Sequence, residues 1–304
     1  MITRDAEAFL ALARPCAADF GPATARAAFL VPPDGFAHAA ESAQDNRYMS
    51  VPGDFDREGA LRQHRRLQAA LSEDMPVVCF PGHADTPDGV FPNNVFATAA
   101  ERLIVGRMRH PVRQREAARA DIRAFFAQVL GYRTVDLSTQ EHACELTGAL
   151  VIDRARGLGF CGLSDRCDEA GAALMHEAFG LRATWMFDLA EGEYHTNVLL
   201  AVLAGKAALF CPDGFAEPGI ATQVLDALYA PHLIRLSADE QAAFAGNAIA
   251  LSHHTAWMSR RASDALSAAN RQALKAAGFT VRGVELDLIE AAGGSLRCCV
   301  AEIF

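Results

Sequence analysis

The amino-acid sequence predicts a mixed α/β fold in which five similar strand–strand–helix–strand units close into a ring. Three observations predict this fold. Pairs of apolar segments separated by short polar turns recur along the chain, and a helical pattern with a further apolar segment follows each pair. The polar residues that open the pairs are also evenly spaced. Self-similarity at a fixed spacing is typical of repeat architectures.

The paired segments are the clearest strand signals in the chain. Residues 93–108, 149–163 and 197–211 each contain two apolar runs around a turn of Gly, Ala or charged residues, and residues 247–259 form a weaker fourth pair. β-Branched and aromatic residues on both sides of such a turn favour a β-hairpin. The sequence therefore predicts four hairpins.

Helical patterns separate the hairpins. They cover residues 111–131, 164–180 and 262–278, and the last of them ends on a glycine, as helix C-termini often do. A further strand is predicted after each helical region, in the stretches YRTVDL, LRATWMFDL, HLIRLS and FTVRGVEL. Each unit thus contains two paired strands, a helix and a third strand.

The spacing of the units is regular. The opening polar residues are Asn94, Glu145, His195, Asn247 and Cys298, at intervals of 51, 50, 52 and 51 residues. The early strands near 28–33 and 75–80 complete a fifth unit with the C-terminal stretch CCVAEIF. Pairing the two ends removes exposed sheet edges. Two ordinary α/β domains, divided near residues 165–185, are the alternative architecture.

Composition excludes several functional classes. The chain has 304 residues and a formal net charge of −9, without a dense basic run, which argues against nucleic-acid binding. No apolar run approaches the roughly 20 residues of a membrane span, and the N-terminus does not resemble a signal peptide, so we expect a cytoplasmic protein. The eight cysteines lack CxxC spacing and are expected to be reduced, with no disulfide or metal site.

A closed ring would bring the five opening residues to one central cavity. A thiol, an imidazole and a carboxylate together are typical of covalent catalysis by an activated cysteine. Cys298 is the candidate nucleophile, and a buried strand residue is the alternative, which describes Cys299 better. His195 is suited to acid–base chemistry. Glu145 enters an apolar strand, where a carboxylate must be paired or functional.

Four stretches carry a resemblance to a known superfamily. GGSLRC, YHTN, ELTGALVIDR and DTPDGVFPNN resemble the amidinotransferases, or penteins, and most closely the arginine-deiminase-related citrulline hydrolases. The resemblance implies a five-bladed α/β propeller over residues 27–304, preceded by a helical extension at 1–26. It also implies hydrolysis through Cys298 as the nucleophile, His195 as the general acid/base and Glu145 as a polar anchor for the substrate, without a metal or organic cofactor.

The resemblance also implies substrate-binding residues. Asn94 and Asn197 fall where guanidine-cleaving relatives usually carry aspartates. Arg113 and Arg166 are candidates for binding a substrate carboxylate, and exposed charges on helices are the alternative reading of both. The expected partner is a small amino-acid substrate, with no nucleic acid and no membrane, and the apolar surfaces of such folds are compatible with a homodimer.

The two asparagines favour a neutral substrate. A carboxylate only accepts hydrogen bonds, whereas an amide also donates, so an amide suits the carbonyl oxygen of a ureido group. The predicted reaction is hydrolysis of citrulline, or of a related carbamoyl amino acid, to ornithine, ammonia and carbon dioxide. A guanidine-modifying enzyme of the arginine deiminase, dimethylarginine hydrolase or amidinotransferase type is the first alternative. A non-catalytic propeller that binds a partner is a more remote one.

Overall fold

The computed structural model describes all 304 residues. Its strands are β1 (Ile2–Thr3), β2 (Ala27–Leu30), β3 (Val77–Cys79), β4 (Phe96–Ala99), β5 (Arg102–Val105), β6 (Arg133–Asp136), β7 (Leu150–Asp153), β8 (Leu158–Leu163), β9 (Ala183–Asp188), β10 (Leu200–Leu203), β11 (Ala207–Phe210), β12 (Leu233–Arg235), β13 (Thr255–Ser259), β14 (Thr280–Val284) and β15 (Ala301–Ile303). Its α-helices are α1 (Ala6–Ala13), α2 (Arg57–Leu71), α3 (Pro111–Ala117), α4 (Ala120–Ala124), α5 (Leu146–Ala149), α6 (Glu169–Phe179), α7 (Pro218–Tyr229), α8 (Ala238–Ala242), α9 (Arg260–Ala265), α10 (Ala268–Ala276), α11 (Asp287–Glu290) and α12 (Leu296–Cys299).

The strands form five small sheets, and four of these share one pattern. In the sheets β4–β5–β6, β7–β8–β9 and β10–β11–β12, the first two strands are antiparallel and the third is parallel to the second. The sheet β15–β2–β3 has the same pattern, with β15 antiparallel to β2. The predicted repeat of two paired strands, helix and strand is therefore present, and the last strand shares a sheet with strands from the start of the chain.

The fifth sheet differs from the prediction. It contains only the parallel strands β13 and β14, and the expected hairpin partner near residue 249 forms one isolated bridge, between Ile249 and Trp257. The hydroxyl of Ser252 accepts hydrogen bonds from the amides of His254 and Thr255. This side chain holds the segment in a turn, which competes with extended backbone pairing.

Two predicted helices are interrupted. The helix expected at 111–131 breaks at Arg119, whose backbone leaves the helical region while its guanidinium binds Asp121 and the carbonyl of Pro81. The helix expected at 262–278 divides at Ser267, which caps α10 by accepting from the amide of Asn270. The hydroxyl of Ser267 explains the second break, because a side-chain cap starts a new helix. The break at Arg119 has no side-chain cap.

The first residues of the chain are attached to the sheet β7–β8–β9. Strand β1 pairs in parallel with β9, and α1 packs Phe9 against Phe160 and Trp185, with ring centroids 5.8 and 6.4 Å apart. Only α1 of this stretch is helical, and the chain between α1 and β2 follows an irregular path. No helix in the structure combines the length and the apolar character that a membrane span requires.

Candidate active site

Short helical turns hold the candidate catalytic residues in place. A 3₁₀ turn at Pro92–Asn94 precedes β4, and a second at Thr196–Val198 precedes β10. The turns α5 and α12 precede β7 and β15 in the same way. Glu145 and His195 directly precede two of these turns, whereas Asn94 and Cys298 lie within the other two. All four residues therefore stand just before the first strand of a sheet, although not at the same position relative to it.

Cys298 lies in this turn and not in a strand. The sequence analysis treated Cys298 and Cys299 as neighbours on an extended strand, whereas both residues close α12 and β15 begins only at Ala301. Both thiols are buried. The turn forms because the amides of Cys298 and Cys299 both donate to the carbonyl oxygen of Ser295.

Glu145 and His195 form a buried pair. The Nε2 atom of His195 lies 2.9 Å from Oε2 of Glu145, and both residues are fully buried. Arg166 contributes a second contact, with Nη1 3.2 Å from the same carboxylate oxygen. Opposite charges close to a buried carboxylate favour its ionised form, so the pKa of Glu145 is held far below its usual range despite burial.

This pairing sets the protonation of the imidazole. Because an ionised carboxylate only accepts hydrogen bonds, His195 must carry a proton on Nε2. Burial lowers the pKa of His195, although the bond to Glu145 opposes the effect, so Nδ1 is unprotonated in the resting ring. Nδ1 is buried and has no hydrogen-bond partner. The arrangement thus presents one free basic nitrogen, held in orientation by Glu145.

Gly148 provides the space next to that nitrogen. A Cβ atom on Gly148 would lie 2.9 Å from Nδ1 of His195 and 2.8 Å from Oδ1 of Asn94. The amide of Asn94 is therefore adjacent to the imidazole, and its Oδ1 atom also lacks a partner. Asn94 and Cys298 line the same small cavity.

The thiol of Cys298 is held by two asparagines. Nδ2 of Asn247 donates to Sγ at 3.3 Å, and Oδ1 of Asn197 lies 3.8 Å from the same sulfur. Burial raises the pKa of the Cys298 thiol, and the hydrogen bond from Asn247 only partly offsets this effect. The thiol is therefore protonated in the resting site and must lose its proton as it reacts.

The side-chain amides of Asn94 and Asn197 differ in whether the protein already occupies their hydrogen-bonding atoms. Nδ2 of Asn197 donates to the carbonyl oxygen of Thr147 at 3.0 Å, and its Oδ1 contacts Cys298 and Asn247. Asn197 is thus bound to the protein through both ends of its amide. Of these two amides, that of Asn94 is the one with a free oxygen beside the cavity.

Arg113 and Arg166 are buried, which excludes the reading of exposed helix charges. Both line the cavity that contains Cys298. Arg166 donates to Glu145 and Asp45 and to the carbonyl of Ser42. Arg113 donates from Nε and Nη2 to Glu116, at 3.0 and 2.8 Å, and has no protein partner for Nη1. Arg113 therefore keeps a donor available beside the cavity.

Comparison with known proteins identifies the family. The family model for eukaryotic N,N-dimethylarginine dimethylhydrolases matches residues 32–304. The chain belongs to this family. A dimethylarginine dimethylaminohydrolase of Mycobacterium tuberculosis (strain ATCC 25618 / H37Rv) is 30% identical over 259 residues, covering 85% of this chain and 80% of that protein. The uncharacterized protein YkgA of Bacillus subtilis (strain 168) is 28% identical over 240 residues, covering 78% and 77%.

Solved structures show the same fold. The N-terminal domain of ArgZ, an arginine dihydrolase from cyanobacteria, matches with a TM-score of 0.79 at 21% identity, over 91% of this chain and 97% of that chain. A dimethylarginine dimethylaminohydrolase with an S-methyl-L-thiocitrulline adduct matches with a TM-score of 0.70 at 18% identity, over 91% and 99%. The predicted membership of the amidinotransferase superfamily is confirmed, and this member of the dimethylhydrolase family is a hydrolase of C–N bonds.

Some residues around Cys298 and Arg166 were not predicted from the sequence. Asn247 was recognised only as a repeat position, although it is the hydrogen-bond donor to Cys298. Asp88 and Asp45 were not singled out, although the first lines the cavity and the second pairs with Arg166. A signal was present for Asp88, because it lies in the stretch DTPDGVFPNN that carried the resemblance.

Proposed function

We propose that this enzyme hydrolyses the ureido or guanidino group of an arginine-like amino acid through a covalent bond to Cys298, with citrulline as the preferred substrate. The five sheets would form a five-bladed propeller over residues 27–304. The observation that carries the proposal is the free amide oxygen of Asn94, which lies close to the unpartnered Nδ1 of His195 and belongs to a residue that lines the same cavity as the buried thiol of Cys298.

The first half of the reaction forms a covalent intermediate. Sγ of Cys298 attacks the ureido carbon while its proton passes to Nδ1 of His195, and the carbonyl oxygen takes the electron pair. The tetrahedral adduct then expels ammonia, which receives the proton from His195. The product is a carbamoyl thioester on Cys298. Glu145 stabilises the imidazolium that exists between the two proton transfers, because its carboxylate contacts Nε2.

The second half releases the cysteine. Water attacks the thioester carbon as His195 accepts its proton, and the C–S bond breaks with return of the proton to the sulfur. The resulting carbamate loses carbon dioxide and leaves ornithine. One water is consumed, and ornithine, ammonia and carbon dioxide are the products. No step requires a metal or organic cofactor.

Charged and polar side chains would hold the substrate at its two ends. The free Nη1 of Arg113 is suited to the α-carboxylate, since a guanidinium binds a carboxylate strongly and directionally. Asn94 would orient the planar ureido group beside Cys298 and His195. Holding reacting groups in one geometry supplies a large part of the rate enhancement.

One observation favours a guanidino substrate as the second candidate. Asp88 lines the same cavity, with Oδ2 accepting from the hydroxyl of Ser42 at 2.6 Å and Oδ1 without a partner. A carboxylate oxygen of this kind suits a guanidinium cation, and the family match points to substrates that carry one. The two candidates differ in the charge of the reacting group.

Product analysis separates the candidates. Release of ammonia from citrulline and arginine, release of dimethylamine from dimethylarginine, and formation of ornithine and citrulline would be measured at equal substrate concentrations. We expect citrulline to give the highest kcat/KM, by roughly tenfold or more, because Asn94 can donate to the ureido oxygen, a difference of about 1.4 kcal/mol.

The matched variant is Asn94→Asp. We expect it to move the ratio of kcat/KM values toward arginine, since an aspartate favours the cation. Higher activity of the wild-type enzyme on arginine or dimethylarginine would contradict the citrulline assignment while leaving the cysteine mechanism in place.

A further inference from the structure

A second cavity, of about 360 Å³, lies away from Cys298. We call it the arginine pocket and define it by three arginines and three aromatic residues among its lining: Arg26, Arg102, Arg154, Phe20, Phe179 and Phe304. The turn between β4 and β5 forms one wall, and Phe304, just after β15, forms another.

The arginine pocket is on the opposite end of the strands from the catalytic cavity. Asn94 precedes β4, whereas Ala100 and Glu101 follow it and line the pocket. Likewise, Cys298 precedes β15, and Phe304 follows it. At about 3.3 Å per extended residue, the six residues from Cys298 to Phe304 span up to about 20 Å. The pocket is therefore separate from the site proposed for hydrolysis.

The three arginines lack carboxylate partners. Arg154 donates to the carbonyl of Thr98 at 3.0 Å and packs against the ring of Phe304, with its guanidinium carbon 4.2 Å from the ring centroid. Arg26 donates to the hydroxyl of Tyr132. Nε of Arg102 is buried without any partner.

Neighbouring arginines of the same region are paired. Arg156 binds Asp153 at 2.7 Å, and Arg297 binds Glu302 at 3.0 Å. Burial lowers the pKa of Arg154 to about 10, and nearby Glu302 only partly offsets the effect. Arg102 and Arg154 are half-buried and have no ion-pair partner, whereas Arg26 is exposed. Burial of unpaired cations is costly, and an anion bound among them would offset that cost.

One carboxylate, that of Glu101 on the turn, lines the pocket with the arginines. The main-chain oxygen of Phe304 accepts a hydrogen bond from Tyr132. Three guanidinium groups and one carboxylate leave a net positive charge in a chain whose net charge is −9. This local positive charge is opposite in sign to the net charge of the whole chain.

We propose that the arginine pocket binds a phosphate monoester that carries a flat or apolar group, such as a mononucleotide. Guanidinium groups bind phosphate through several directed hydrogen bonds, and a phosphate can engage more than one of them. The cavity volume is within the range typical of small-molecule pockets and exceeds what inorganic phosphate needs. Phe20 and Phe179 supply apolar wall for the rest of the ligand.

Calorimetric titration of the full chain tests the proposal. The probes are adenosine 5′-monophosphate, adenosine and inorganic phosphate. We expect the monophosphate to bind, and adenosine to bind at least about tenfold more weakly, because charge-assisted hydrogen bonds to the phosphate supply most of the affinity. Arg102→Gln and Arg154→Gln should each weaken binding of the monophosphate by about tenfold or more.

The control variant is Arg133→Gln. Arg133 is exposed and lies beside Arg102, its backbone neighbour on the adjacent strand β6. It does not line the pocket, so its replacement should leave binding of the monophosphate unchanged. Arg102 is the first residue of β5 and is only half-buried, so Arg102→Gln should fold. This variant still tests the proposal if Arg154→Gln does not fold. The proposal would be overturned by absence of monophosphate binding, by binding of inorganic phosphate alone, or by equal affinity in wild type and Arg102→Gln.

Discussion

Replacement of Cys298 with alanine is expected to lower kcat by at least about 10³-fold, because the reaction then lacks its nucleophile. The cavity also contains no second cysteine that could substitute, since Cys298 is the one thiol in its lining. Hydrogen bonds from Asn247 would lose their acceptor on sulfur, but the fold should survive the removal of one atom. Steady-state ammonia release measures the effect.

The adjacent residue provides the matched control. Cys299 is equally buried and belongs to the same helical turn and the same apolar cluster, yet it does not line the cavity that contains Cys298. Cys299→Ala should therefore keep kcat within a few-fold of wild type while losing some stability. Similar losses of activity in both variants would show that the turn, and not the Cys298 thiol, is what the reaction needs.

Replacement of Glu145 with glutamine is expected to lower kcat/KM by roughly 10²- to 10⁴-fold, as removal of the carboxylate behind a catalytic histidine does elsewhere. The wild-type carboxylate fixes the Nε2 proton of His195 and stabilises the imidazolium. An amide has no charge and can present its donor to Nε2, so the ring can then carry its proton on Nδ1 and lose the free nitrogen that attack requires.

The pH profile separates this effect from simple destabilisation. Glu145 raises the pKa of His195, so its loss should lower that pKa further and move the corresponding limb of the kcat/KM profile to lower pH. Asp153→Asn is the control, because Asp153 is another fully buried carboxylate paired with an arginine. That variant should lose stability but keep the wild-type pH profile. An unchanged profile in Glu145→Gln would contradict its role as partner of His195.

The even spacing of five residues was enough to predict that their side chains lie close together, while their roles in the reaction stay predictions. Asn94, Glu145, His195 and Cys298 all precede the first strand of a sheet, although at different distances from it. The weak fourth hairpin is the exception, because Ser252 diverts the chain into a turn by a local hydrogen bond that periodicity does not reveal. Asn247 nevertheless reaches Cys298.

Long-range pairings could not be predicted from spacing. Asp45 is 121 residues from Arg166, and the pair forms only when the segment after β2 crosses the cavity. The same holds for the contact of Tyr48 with Glu193. A single sequence carries no signal for such partners, because each residue alone is an ordinary polar group in a loop. The assignment of Asn197 had a similar limit, since its bond to Thr147 depends on the register of two different units.

Intact-mass measurement of the enzyme during turnover tests the covalent mechanism most directly. Wild-type protein quenched in the presence of citrulline should carry a carbamoyl adduct of the substrate, and peptide mapping should place it on Cys298. The adduct should be absent from Cys298→Ser and present in Cys299→Ala. An adduct that persists in Cys298→Ser, or turnover of citrulline by that variant at the wild-type rate, would contradict the assignment of Cys298 as the nucleophile.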